Sequence, residues 1–326
     1  MKKLVIGFDV SKDSLDYCIL QGVDRSIESR GVIRNDKKSI LKWIKKLGDN
    51  HCTVSMEHTG NYGALLASLL TQEGICFYMV NPLDVKMSMG VQRGKTDAVD
   101  AYRIAMFTIS NAHRLKPYCL PTEKLRKLKV LVTSRERYVK ISVQLKNSLR
   151  ADLILAKTLN MKDLVKEGKK HINNINKTIN TLEKQMLEII RSSQELKESY
   201  DKIKRVIGVG PITATKCIIE TDNFLSFTNA RQFSCYCGLA PFPYQSGSSV
   251  KGRTRTHHLR NKALKSILFN AAGSAIQHDP QLKRYYARKV NEGKHKLTVL
   301  NAVANKLVLR IFAVVNREEP FVKLSA

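Results

Sequence analysis

Acidic side chains are scarce in this 326-residue sequence: 28 Asp and Glu stand against 56 Lys and Arg, a formal net charge of +28. That balance excludes an acidic or solvating chain, while 43% hydrophobic residues leave enough to bury ordinary cores. Cysteines are few and odd in number, seven at scattered positions, which argues against a disulfide framework and for a reducing cytoplasm. Long apolar runs are missing too. The start passes at once into Leu4-Val5-Ile6-Gly7-Phe8-Asp9, too short and too soon polar for a signal segment. No uninterrupted apolar span of about 18 residues is visible, so neither export nor a membrane span is expected. Glycine and proline nearly vanish between 122 and 200, with Gly168 the exception, so that stretch reads as long helices.

The bases that are present are unevenly placed. Residues 1–110 carry a net charge of +3, residues 111–200 carry +11 and residues 201–326 carry +14. Such a chain can hold a polyanion with its basic part and act on it with the part that keeps its acids, and nucleic acid is the leading partner. Solubility alone needs only about 2 to 8 charges in a small domain.

Three stretches follow from the patterning. In residues 1–112, apolar runs predict strands at Lys3–Val10, Ser14–Leu20, Ser26–Ile33, Thr53–Glu57 and Ile75–Val80. Helices are expected over Lys38–Leu47, over Tyr62–Gln72 and from Thr96-Asp97 onward, with a break at Asn81-Pro82. Strands followed by alternating helix and strand indicate an α/β domain with a mixed sheet. Residues 113–200 read as a helical arm, either an antiparallel coiled coil or a plain helical subdomain. Residues 201–326 regain Gly and Pro and end in basic helices, a mainly α domain.

Four carboxylates carry the sharpest expectation. Asp9 and Glu57 each end an apolar run, so both should reach one edge of one sheet. Asp97 and Asp100 lie three apart at the start of a helix that Thr96 can cap, which projects them from one face. Each alone is commonly a cap or a solvated side chain; the order Asp, Glu, Asp-x-x-Asp on strand, strand and helix is more specific. Clustered, they would repel one another and suit two Mg²⁺, hard cations that prefer oxygen ligands and bridge phosphate oxygens.

A second feature is the Gly/Pro/Ser loop from Gly238 through Ser246-Gly247-Ser248-Ser249, followed by Lys251, Arg253, Arg255, Arg260 and Lys262 with no acid between Arg253 and Lys265. A serine backed by cations could attack a phosphate, although an isolated serine-rich loop is more often a flexible turn. Gly208 and Gly210, in Ile207-Gly-Val-Gly-Pro211, form a turn like a helix-hairpin-helix, whose N–H groups grip a phosphate; an ordinary tight helix connection has the same signature. Cys235 and Cys237 with His257 and His258 have poor spacing for zinc and read better as buried thiols.

Together these residues resemble the transposase family of the insertion sequences numbered one hundred and ten, which includes the Piv-type DNA invertases. The resemblance rests on Gly7-Phe-Asp9-Val-Ser-Lys12, Met56-Glu57-His-Thr-Gly-Asn61-Tyr62, Val80-Asn-Pro82, Lys95-Thr-Asp97-Ala-Val-Asp100, the Gly208/Gly210 turn, and Gly238-Leu-Ala-Pro241 leading to Ser246-Gly247. It implies a RuvC-like (ribonuclease H fold) N-terminal domain whose Asp9, Glu57, Asp97 and Asp100 bind metal, a coiled-coil arm, and a C-terminal domain contributing a serine nucleophile, with Ser246 the match and Ser248 and Ser249 its neighbours. It further implies target and donor DNA as substrates, a structured bridge RNA as guide, and a dimer or tetramer. Arg93, Lys95, Lys124, Arg126, Arg135, Arg137, Lys140, Lys146 and Arg150 would then hold nucleic-acid backbone. A water-using junction nuclease would share the acids without needing the serine. A sugar-kinase-like or actin-like ATPase would share the opening strand, but its later phosphate-loop glycines are not evident.

Overall fold

The protein's computed structural model describes residues 4–22, 24–48, 52–58, 60–88, 90, 96–246, 250–256 and 259–317. The chain divides into two compact units, residues 1–120 and 121–326.

The first unit opens with β1 (Leu4–Val10), β2 (Ser14–Gln21) and β3 (Ile27–Arg34), followed by α1 (Lys37–Leu47), β4 (Cys52–Glu57), α2 (Ala64–Gln72), β5 (Phe77–Val80), α3 (Pro82–Ser88) and α4 (Asp97–Asn111). The strands form one mixed sheet in the order β3-β2-β1-β4-β5, with β2 antiparallel to both neighbours and β4 and β5 parallel to β1. β1 is central because it is apolar on both faces. On one face Ile6, Phe8 and Leu15 pack with Ile40 and Trp43 of α1, and the Phe8 and Trp43 rings meet edge-on at 4.9 Å. On the other face α4 lies directly against β1. A Cβ on Gly7 would stand 2.2 Å from the Ala101 carbonyl oxygen and 2.5 Å from the Ala105 nitrogen, so only glycine lets the helix backbone come this close. The Asn81-Pro82 break is in fact the start of α3. The Asn81 side chain accepts a hydrogen bond from the Leu83 N–H at 3.0 Å, and proline at the first helical position gives up an N–H that would have no helical partner.

The second unit comprises α5 (Glu123–Leu155), α6 (Lys162–Arg191), α7 (Gln194–Lys204), α8 (Pro211–Glu220), α9 (Ala230–Tyr236), β6 (Phe242–Ser246), β7 (Val250–Arg255), α10 (Lys262–His278), α11 (Pro280–Asn291) and α12 (Lys296–Asn316). α5 and α6 run antiparallel. Arg135 Nε donates to Glu183 at 2.6 Å and Ser142 Oγ to Asn176 at 3.2 Å, while a Cβ on Gly168 would touch Leu149 at 3.1 Å. The base of this pair shares a core with α7 to α12, built around Leu128, Met186, Ile190, Ile203, Leu268 and Leu307. α12 is long and apolar enough to cross a membrane by length and composition, which qualifies the expectation that no such span exists. Its Val303, Leu307, Val308 and Ile311 are instead fully buried in this core. The Gly/Pro/Ser loop also differs from expectation: its flanks pair as the antiparallel hairpin β6–β7, with Ser246 opposite Val250.

Candidate active site

Register brings the first acids together. Phe8 pairs with Met56 across the parallel strands, so the next residues, Asp9 and Glu57, stand side by side at the same end of adjacent strands. Both lie two residues beyond the paired Gly7 and Ser55, on the sheet face that α4 covers. The antiparallel partner of Asp9 is Asp16, on the same face. Like charges directly opposite across a ladder are unfavourable. Thr96 then places the remaining pair: its Oγ1 accepts a hydrogen bond from the Val99 N–H at 3.3 Å, starting α4 so that Asp97 and Asp100 occupy its first turn.

The electrostatics show that these groups feel one another. Burial pushes the Asp9 carboxyl up from 3.8 to about 6, and the negative charges of Asp97, Asp100 and Asp16 add to the rise. Burial followed by the charge of Asp97 raises Asp16 as well. Arg103, one turn along α4, offsets part of this excess, its Nη1 donating to Asp100 Oδ1 at 2.8 Å. Asp16 was not among the sequence-predicted acids, although counting back across the short β1–β2 turn would have paired it with Asp9.

Among the described residues, no three His, Cys, Asp or Glu side chains are gathered as a ligand set for a metal ion. The donors nevertheless fit a hard divalent cation. They are carboxylate oxygens, and Asp16, Asp97 and Asp100 lie close enough to raise the proton affinity of Asp9; a bound cation would supply the positive charge that a proton supplies to Asp9 at low pH.

Of the basic candidates, Arg93 and Lys95 lie outside the described residues, as do Ser248, Ser249, His257 and His258 and the side chains of Ser246, Lys251 and Arg253. The backbone puts Ser246 at the tip-side end of β6, and Lys251 and Arg253 on β7. Arg255 and Lys262 are exposed, whereas Arg260 is half-buried with its side chain over Gly238. On α5, Arg137, Lys140, Lys146 and Arg150 are exposed. Others serve the fold: Arg135 pairs with Glu183, Lys124 Nζ donates to the Ser192 carbonyl at 2.6 Å, and Arg126 lines an apolar cleft between α5 and α6. Gly208, at φ 93°, packs on α10, where a Cβ would lie 2.6 Å from Ala275 Cβ and 2.7 Å from the Ala271 oxygen; Gly210 caps α8 without a side chain. Cys237 is buried and its thiol is pushed well above its ordinary range by burial, in keeping with a structural thiol.

A DEDD-type transposase profile of the IS110 group matches residues 6–160, and a profile described as "Transposase IS116/IS110/IS902 family" matches residues 200–287. The pilin gene-inverting protein of Moraxella bovis is 25% identical over 99% of both chains. The transposase of insertion sequence element IS1111A from Coxiella burnetii is 23% identical over 97% of this chain and 91% of its own. Among solved structures, Thermus thermophilus RuvC bound to a Holliday junction aligns over 36% of this chain and 99% of its own, at 13% identity and a TM-score of 0.30. With one profile spanning the acids of the first unit and the other the glycine turn and hairpin of the second, the protein belongs to the IS110 family of transposases, enzymes of DNA recombination.

Proposed function

We propose that this transposase cuts and rejoins DNA by a phosphoserine route, with Asp9, Glu57, Asp97 and Asp100 holding two Mg²⁺ ions and Ser246 as nucleophile. The observation that carries the acidic half is Asp9 itself. Its carboxyl is raised to about 6 by burial and three neighbouring acids, a frustrated arrangement that folding alone would select against. Divalent cations bound there would polarise the scissile phosphate and neutralise charge developing on it. The sheet order and the α4 packing are consistent with a RuvC-like, ribonuclease H type of first unit.

In the serine half, Ser246 Oγ attacks phosphorus and forms a P–O bond. The bond from phosphorus to the 3′-oxygen breaks, and that oxygen leaves as a hydroxyl, carrying off the proton the serine loses. The phosphodiester energy is kept in the seryl ester, so rejoining needs no external source. Arg255 and Lys262, exposed near the hairpin, favour phosphate oxygens on either side of the cut. The near full-length likeness to pilin gene-inverting proteins supports strand exchange over simple hydrolysis. The net charge of +28 supports a nucleic-acid guide, a bridge RNA, because a protein that leaves sequence reading to base pairing needs mainly backbone contacts. We assign the α5–α6 pair as a coiled-coil arm and the Gly208 turn as a helix-hairpin-helix-like phosphate grip. The working form is a dimer or tetramer in which one subunit's hairpin serves another's acids.

The test is a denaturing gel of end-labelled donor DNA incubated with Mg²⁺ and the co-purified RNA. Wild type should leave a protein–DNA adduct, Ser246→Ala none, and Asp9→Asn none despite unchanged RNA retention. An adduct formed by Ser246→Ala would move the nucleophile to Ser248 or Ser249, and recombination at wild-type rate by Asp9→Asn would refute the acidic site.

A further inference from the structure

The bases of the second unit are not confined to α5. Those expected on α5 are partly consumed by the fold, whereas the outward face of α6 carries an ordered set. Lys162, Lys166, Lys169, Lys170, Lys177 and Lys184 are all exposed, and at 100° per residue they fall within one sector of the helix, with the exposed Asn173 and Asn180 filling the gaps. The buried side of α6, Ile172, Met186 and Ile190, points elsewhere and meets the core. Among the described residues only Lys170 of the six forms an ion pair, with Glu167 at 3.5 Å. The row runs about 33 Å at the rise of an α-helix, close to the roughly 34 Å of one duplex turn. Lysines spaced along one straight line act as point charges and offer no fork for reading base edges.

We propose that this face of α6 docks the backbone of a DNA duplex along about one helical turn, the B-form repeat being the one its length matches. The inference rests only on the chain's binding nucleic acid, not on the metal site or the serine. Phosphate contacts of this kind release condensed counterions, so each contributes a slope of about −0.9 to the dependence of log affinity on log salt for a duplex, and about −0.7 for a single strand. Six contacts would cost about a thousandfold in affinity between 50 and 200 mM salt.

The experiment measures binding of the full chain to labelled 30-base-pair DNA and RNA duplexes of scrambled sequence, and to the matching single strands, in chelator across that salt range. A variant with all six lysines changed to glutamine is compared with one in which all six are arginine. Glutamine and lysine have similar helix propensities, and circular dichroism verifies the fold of both. The glutamine variant should lose about four to five of the salt slope on the DNA duplex, the arginine variant almost none. An unchanged slope on the DNA duplex, a loss confined to the RNA duplex or to single strands, or an equal loss in the arginine variant would overturn the proposal. Because no divalent cation is present, failure of the cleavage chemistry leaves this result untouched.

Discussion

Replacing Asp9 by asparagine should abolish DNA cleavage and at the same time make the first unit more stable at neutral pH. The carboxylate is partly buried beside Asp16, Asp97 and Asp100, and its folded-state value stands near 6 against 3.8 ordinarily. A carboxyl raised in this way binds its proton more tightly in the folded state than in the unfolded one. The stabilisation from that proton is complete below about 4 and is lost as pH rises through about 6. At pH 7.5 the native unit therefore carries an ill-placed charge. The rise sets an upper bound of about 3 kcal/mol, and screening by solvent at this part-exposed site reduces the expectation to about 1–2 kcal/mol. The neutral asparagine is nearly isosteric and keeps an acceptor for the Val10 N–H, so it should recover that amount and raise the midpoint of thermal unfolding by roughly 5–10 °C. Trp43, the chain's one tryptophan, lies in the core of this unit against Phe8, and its fluorescence reports the unfolding of this unit. Urea titrations in chelator between pH 4 and 8 should show the gap between variant and wild type wide above pH 6.5 and closing toward pH 4. Added Mg²⁺ should stabilise wild type and not the variant. A variant less stable than wild type at pH 7.5, or a gap that does not change with pH, would show that the acids do not repel one another as the geometry requires.

Other consequences lie in the second unit. Gly208→Ala puts a Cβ into the Ala271 and Ala275 backbone at a positive φ, and should cost about 2–4 kcal/mol in urea unfolding followed by circular dichroism; a loss under 1 kcal/mol would mean the turn does not press on α10. Lys216 is 4% exposed and its Nζ pairs with Glu136 at 2.5 Å, joining α5 to α8. Glu136→Ala should therefore cost about 3 kcal/mol by stranding a buried charge, and Lys216→Met in that background should restore most of it. Leucine at both Ser142 and Asn176 removes the one polar layer that joins these two positions between the helices. It should raise the melting temperature while letting the pair slip, read as cross-links between cysteines placed in shifted as well as matched register.

The first unit was legible because its local signals agree with its tertiary structure. Leu4–Val10 is apolar enough to be the central strand, the Asp36 and Thr96 side chains cap α1 and α4 in the structure as their types suggest, and Asp97-x-x-Asp100 follows from helical spacing. Asp16 is not legible from acids that end apolar runs, because it sits inside a strand and acquires meaning only through its register with Asp9. Asn81-Pro82 reads as an interruption in sequence, but proline at a first helical position and an asparagine cap begin α3. Helix-to-helix placement in residues 121–326 was least legible, since periodicity tells which face is apolar but not which partner covers it; the contacts of Arg135 with Glu183 and of Lys124 with the Ser192 carbonyl arise only from that placement.

The hairpin shows how punctuation can hide a strand. Pro243, Gly247 and Gly252 read as loop residues, and in isolation a two-stranded ribbon is marginal. Here its two roots are fixed from outside. The Asn261 N–H donates to the Tyr236 carbonyl at 2.9 Å, so the chain entering β6 and the chain leaving β7 are tied at one point. Tyr236 Oη donates to Glu220 at 2.7 Å and Asn261 Nδ2 reaches the same carboxylate at 3.2 Å. Lys265 Nζ and Asn301 Nδ2 each hold a carbonyl of the entering segment, Gly238 and Leu239, at 2.8 Å. The residues that make these contacts come from α8, α9, α10 and α12 and from the short link before α10, spread over more than eighty positions, and no reading of residues 238–255 alone could have supplied them. Pairing of β6 with β7 is thus imposed on a weak local sequence by the helical core beneath it.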